Sequence, residues 1–210
     1  VSTFIYEKRI GARNQLEIAL PFVVHERAAS ERGGWTGAEL GDIMLALKRT
    51  VYVDGNRGAI LSIGAEAALP TGDVRAGSGS GTTVFEPFLL AAKILPRTSF
   101  IQMQTGVGLP VNTTKAEREA FLRVALGTTV VAGITHAFTP IAEFEAVRPQ
   151  GAGAVAEYDA IPQMKISLSK RQHVAASIGM RLPLESSRRP KQFVAYFMWD
   201  WYEGGLFAGW

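Results

Sequence analysis

The stretch His173-Val174-Ala175-Ala176-Ser177-Ile178-Gly179-Met180-Arg181-Leu182-Pro183-Leu184 decides the fold. Its even positions are Val174, Ala176, Ile178, Met180, Leu182 and Leu184, whereas His173, Ala175, Ser177, Gly179 and Arg181 fill most of the odd ones. A β-strand turns successive side chains to opposite faces, so this segment has one apolar face and one small, polar face. The same alternation predicts strands at Thr3–Arg9, Asn14–Val24, Glu39–Val51, Arg57–Leu69, Thr83–Leu95 and Ser99–Leu109. It continues at Glu119–Val131, Thr135–Val147, Glu157–Ser169, Gln172–Leu184 and Gln192–Trp201. These lengths suit tilted strands that cross a bilayer.

The connections alternate in length. Gly11-Ala12-Arg13, Asp54-Gly55-Asn56, Pro96-Arg97, Ala132-Gly133 and Lys170-Arg171 are short and built from turn formers or charges. Between them lie the longer Glu26–Thr36, Thr71–Thr82, Val111–Arg118, Pro149–Ala154 and Ser186–Lys191. Short turns on one rim and long loops on the other predict a bacterial outer-membrane barrel with turns in the periplasm and loops outside. Gly77-Ser78-Gly79-Ser80-Gly81 reads as a flexible loop tip; no helix start or Lys-Ser/Thr follows, so it is no phosphate cradle. Leu20-Pro21, Leu69-Pro70, Leu109-Pro110 and Leu182-Pro183 fall where strands approach long loops, as expected of a residue that cannot donate to a ladder.

Composition narrows the function classes. A chain of 210 residues suits one domain, here a single barrel over 1–210. No apolar run approaches the roughly 20 residues of a membrane helix. A net charge of +3 from scattered Lys and Arg argues against nucleic acid. Zero cysteines exclude disulfides, thiol catalysis and cysteine-bound metal within the chain. The chain opens directly in a strand-like segment without a signal peptide. Eleven visible strands with periplasmic short turns leave the first running down from outside. An even-stranded barrel of about 12 strands therefore expects one more strand ahead of Val1.

Alternation alone leaves the facing of the sheet open, since a soluble barrel would put the apolar face inside. Three features favour the reverse. The polar face carries Glu17, Asp42, Lys48, Glu66, Glu86, Gln102, Gln104, Arg123, Glu143, Glu145, Lys165, Arg181 and Asp200, residues suited to a watery lumen, with Gly64, Gly106, Gly108 and Gly127 among them. Aromatics of the other face fall at strand ends: Phe22, Phe85, Tyr158 and Phe193 toward the long loops, and Phe138, Trp199 and Trp201 toward the short turns. Two such girdles are expected at membrane–water interfaces. The chain also ends on Trp210, as many outer-membrane barrels end on an aromatic.

Short motifs add a resemblance. Gly11-Ala12-Arg13-Asn14-Gln15-Leu16-Glu17, Gly41-Asp42-Ile43 with Leu47-Lys48, and Leu69-Pro70-Thr71-Gly72-Asp73 before the Gly-Ser-Gly run carry it. So does the closing Trp199-Asp200-Trp201 with Glu203-Gly204-Gly205-Leu206 and Gly209-Trp210. Together they resemble the outer-membrane barrels of the meta-pathway of phenol degradation family. The resemblance implies a transporter-like barrel and supplies no catalytic residues.

No enzyme is expected. His25 is assigned to the outer rim and His136 and His173 to the inner, so the three cannot share a metal site, and no serine pairs with His173 for a hydrolase. Glu143 and Glu145 read as lumen lining rather than as an acid–base pair. The expectation is a Gram-negative porin-like channel for an unidentified small solute, without cofactor or metal. Glu66, Glu86, Glu143 and Glu145 would favour cations, and Arg123, Arg181 and Lys165 would hold anionic parts. The alternative is a structural barrel that anchors or sheathes protein partners in an electron-transfer or secretion complex. Surrounding lipid, including lipopolysaccharide, is the other expected partner, with Arg188, Arg189 and Lys191 available to its phosphates.

Overall fold

The computed structural model describes residues 2–26, 35–131, 137–151, 153–169, 174–184 and 189–199. Among them there are thirteen strands, no helix, and one sheet in which every pairing is antiparallel. β1 (Ser2–Ile10) pairs with β2 (Asn14–Glu26). β3 (Trp35–Leu40) and β4 (Ile43–Asp54) both pair with β2, as two halves of one run interrupted at Gly41-Asp42. The ladder continues through β5 (Ala59–Leu69), β6 (Val84–Leu95), β7 (Ser99–Pro110) and β8 (Glu119–Thr128). β9 (Val130–Val131) prolongs β8 against β10 (Ala137–Pro149). β11 (Glu157–Ser167), β12 (Val174–Pro183) and β13 (Gln192–Trp199) complete an up-and-down order without crossovers.

Register preserves the alternation across the sheet. Glu7 stands opposite Glu17, Glu17 opposite Ala46, Ala46 opposite Glu66 and Glu66 opposite Glu86, one row over five strands. A second row runs Gln104, Arg123, Glu145, Asp159. A slip of one residue would throw carboxylates onto the apolar face, so the pattern fixes the parity of the pairing.

Burial is inverted relative to a water-soluble core. Leu47 is 55% exposed, Leu89 50% and Ile178 53%, whereas Ser62 and Ser177 are 2% exposed and Asp159 4%. The sheet also curls. Val53 of β4 and Ile60 of β5 line the same cavity as Lys165 of β11, six neighbours beyond β4 along the ladder. The polar face is therefore the concave one.

Glycines and aromatics interlock on that face. A Cβ on Gly64 would overlap the ring of Phe88, one on Gly106 the ring of Phe121, and one on Gly127 the ring of Phe100. Each missing side chain opens a slot that a ring from the neighbouring strand fills, supplying packing that the small residues lack.

Several expectations need correction. Leu20-Pro21 lies inside β2, because pairing continues beyond it to β3; the Pro21 carbonyl accepts from the Gly41 amide at 2.7 Å, where the partner run breaks. A bulge between Thr50 and Tyr52 ends the clean alternation of β4 and leaves Val51, Tyr52 and Val53 all exposed. Val174, on the apolar face opposite Trp199, is only 4% exposed. β1 and β13 each pair on one side only among the described residues. With runs alternating in direction, those two edges point the same way.

Candidate functional site

The polar face divides into three regions. The first is a charge network near the long-loop end. Arg123 Nε lies 2.7 Å from Glu145 Oε1, and an Arg181 terminal nitrogen lies 2.8 Å from Glu145 Oε2. Arg181 also reaches Asp159 at 3.2 Å, and Arg189 binds Asp159 at 3.0 Å and Glu157 at 3.0 Å. Charges thus alternate Arg123–Glu145–Arg181–Asp159–Arg189–Glu157 across β8, β10, β12, β11 and the approach to β13. Glu145 and Asp159 are almost fully buried, and each is held by two guanidinium groups, which is how a buried carboxylate is made tolerable.

The second region is acidic. Glu7, Glu17, Glu66 and Glu86 share the row described above, and Glu119 stands beside Gly108 on β7. Lys48 stands one step along the same face, between Gln15 and Gly64. Glu66 and Glu86 form no ion pair among the described residues.

The third region lies toward the short turns and is open. A cavity of ≈ 410 Å³ is lined by Phe100, Gln102, Ile141, Glu143, Lys165 and Tyr196, among others. A second of ≈ 510 Å³ shares Phe100, Gln102 and Lys165 with it and extends toward Asp54 and Gly58 in the β4–β5 turn. Gln163 Nε2 donates to Glu143 Oε2 at 2.6 Å and its carbonyl accepts from Ser177 at 3.2 Å.

Of the residues expected to line a lumen, Lys48, Glu66, Glu86, Gln102, Gln104, Arg123, Glu143, Glu145, Lys165 and Arg181 share this face. The structure does not leave them equivalent. Glu145 is paired with both Arg123 and Arg181, whereas Glu66, Glu86 and Glu143 form no ion pair among the described residues. Arg189 turns its guanidinium to Glu157, Asp159 and the Tyr158 carbonyl. On the opposite face, Phe22, Phe85, Tyr158, Phe193 and Phe138 are exposed, and Trp199 is half-buried. Asp200, Trp201, His136, His173 and Arg188 lie outside the described residues, as does the side chain of His25.

Asp42 is the exception on position. It sits at the β3–β4 break and is bound by a loop. Its carboxylate accepts from the Gly72 amide at 3.0 Å and from the Ser80 amide and hydroxyl at 2.7 Å each. The Thr71 hydroxyl donates to the Gly41 carbonyl at 2.8 Å and accepts from the Ile43 amide at 2.9 Å. Gly72 and Gly79 pass so closely that a Cβ on either would strike the other strand of the loop. Ser78 and Thr82 are buried, and the loop is tied onward by Asn112 donating to Thr82 and Lys115 to the Gly81 carbonyl. The Gly-Ser-Gly-Ser-Gly run is thus a folded clasp, not a free tip. Repeated small residues were legible as a loop, but their partner Asp42 lies 38 positions from Ser80, beyond local pattern.

Burial works against ionisation of Asp42, but the Ser80, Gly72 and Thr71 hydrogen bonds outweigh it and hold the carboxyl below its ordinary value of 3.8. A depressed folded-state pKa stabilises at pH above the unfolded value and is lost as pH falls through the folded one. The clasp is therefore expected to hold through neutral and mildly acid pH and to loosen only below the usual aspartate range. Asp42→Ala should remove about 1–2 kcal/mol locally, raising the rate of trypsin cleavage at the exposed Arg75 by roughly five- to thirty-fold. Unchanged cleavage would show that the clasp does not hold the loop.

No family model matches the chain, and no curated protein matches it significantly.

Proposed function

We propose that the chain is an outer-membrane β-barrel whose concave polar face lines a passive path for a small solute. The inverted burial carries this reading: leucine, isoleucine and phenylalanine side chains face outward over most of the sheet, while serine, aspartate and glutamate are covered. So large an apolar surface needs a nonaqueous neighbour. A lipid-facing band over a polar interior is the pattern of barrels that span a membrane. In that setting the open edges of β1 and β13 must be covered, because unpaired backbone groups are not tolerated in hydrocarbon. A twelfth strand running opposite to both would close the cylinder. The likeness to the meta-pathway of phenol degradation barrels agrees with this reading and rests on the quoted motifs.

Glu66, Glu86 and Glu143, outside the arginine network, would set the charge preference of the path. In a planar bilayer the wild type should conduct, and the triple Gln variant at these positions should shift the reversal potential toward lower cation preference without unfolding. A folded but silent wild type would contradict the channel.

One observation favours a second reading, a structural barrel that anchors partner proteins. The Arg123–Glu145–Arg181–Asp159 network binds β8, β10, β11 and β12 into one cross-braced wall in which these four charges pair with one another rather than face a solute. That reading predicts the silent wild type.

A further inference from the structure

The cavity toward the short turns contains a cation that nothing neutralises. Lys165 lies on both cavities and makes no ion pair or hydrogen bond among the described residues. Several of the other polar groups lining the first cavity are engaged. Glu143 accepts from Gln163, Gln163 accepts from Ser177, and the Thr129 and Thr139 hydroxyls share a hydrogen bond of 3.1 Å. The arginines nearer the long loops are held by Glu145 and Asp159. Among the described residues, Lys165 is the cation of the first cavity and remains available to a solute; Lys93 borders only the second. Lining the same cavity are Gln102, Phe100, whose ring is seated over Gly127, and Ile141.

We propose that this cavity binds a small organic monocarboxylate, with its anionic head on the Lys165 ammonium and the Gln102 amide and its apolar body against Phe100 and Ile141. The volume of ≈ 410 Å³ falls in the range of small-molecule sites. One free ammonium balances one negative charge, and Glu143 on the same wall disfavours a second. Phe100, Ile141 and Ala125, set in an otherwise polar lining, offer an organic body an apolar contact that a bare inorganic anion does not use. The inference rests on the polar face being a solute path, and it places an anion-holding station on the short-turn side of the acidic row.

Hexanoate is a suitable probe, with hexan-1-ol as its uncharged counterpart. Calorimetric titration of the folded barrel in detergent should show hexanoate binding more tightly than hexan-1-ol. Lys165→Met should weaken hexanoate by roughly tenfold or more, leave hexan-1-ol unchanged, and be largely rescued by Lys165→Arg. Heat-modifiability on gels verifies that each variant is folded. Equal hexanoate affinity in wild type and Lys165→Met, or none in the folded wild type, would overturn the site. Bilayer recordings on the same preparations separate the two claims. A conducting barrel that does not bind hexanoate overturns the station and leaves the channel; Lys165-dependent binding without current keeps the station and overturns the channel.

Discussion

Ile178→Arg is expected to destabilise the folded barrel by about 2–4 kcal/mol in a refolding titration with lipid vesicles. Ile178 sits near the middle of β12, 53% exposed on the apolar face, with Met164 and Ala195 opposite it on the neighbouring strands. In the proposed membrane barrel a guanidinium there must enter hydrocarbon or drag water and headgroups toward it. The matching change on the polar face is Gln102→Arg, because Gln102 is exposed at the junction of the two cavities. It should cost less than about 1 kcal/mol, the scale of surface substitutions. Ser177, next to Ile178 on the polar face, is a poor control: it is 2% exposed beneath Gln163, so an arginine would be excluded by packing alone. Comparable damage from Ile178→Arg and Gln102→Arg would contradict the assignment of faces.

Glu145→Gln is expected to be the most disruptive conservative change on the polar face. Its carboxylate, 6% exposed, is shared by Arg123 and Arg181 from the strands on either side of β11 and β10. Removing one partner of a fully buried ion pair costs about 3–5 kcal/mol. Here both arginines retain some solvent contact, which lowers the expected loss to roughly 2–3 kcal/mol. Arg123 has a second support, its guanidinium lying 4.8 Å from the centre of the Phe121 ring, so Arg123→Gln should also cost packing. Denaturant titrations of Glu145→Gln, Glu86→Gln and Glu143→Gln should place the first well below the other two. Equal stability of the three would mean that the network is not what braces this wall.

Strand positions were legible because the signal is local: an alternation of period two, punctuated by Gly, Pro and charged turns, needs no knowledge of partners. The parity of the pairing was legible too, since an odd slip would put Glu17, Glu66 and Glu86 on different faces, but the choice among even shifts was not. What was not legible was division of labour within that face. Glu145 and Glu143 are two residues apart on one strand and look alike in sequence, yet one is clamped by two arginines and the other by an amide. That difference is set by which side chains arrive from β8, β11 and β12. The same holds for Asp42, whose parity suggested the interior but whose position at a break in the run gave it to the 71–82 loop. Phe88, Phe100 and Phe121 share the face of the glycines they cover, a signal present in the parity of the strands but masked by the expectation that aromatics belong on the lipid side.

The central claim is that the apolar face meets lipid and the polar face meets water. The absence of native cysteines makes a direct test straightforward. Single cysteines at Leu89 and Ile178, and at Lys48 and Gln102, can each carry an environment-sensitive fluorophore in barrels folded into vesicles. The account predicts that labels at Leu89 and Ile178 are quenched by bromine on the lipid chains and shielded from iodide in the buffer. Labels at Lys48 and Gln102 should show the opposite. Quenching by iodide at Leu89 and Ile178, or by brominated lipid at Lys48 and Gln102, would contradict it.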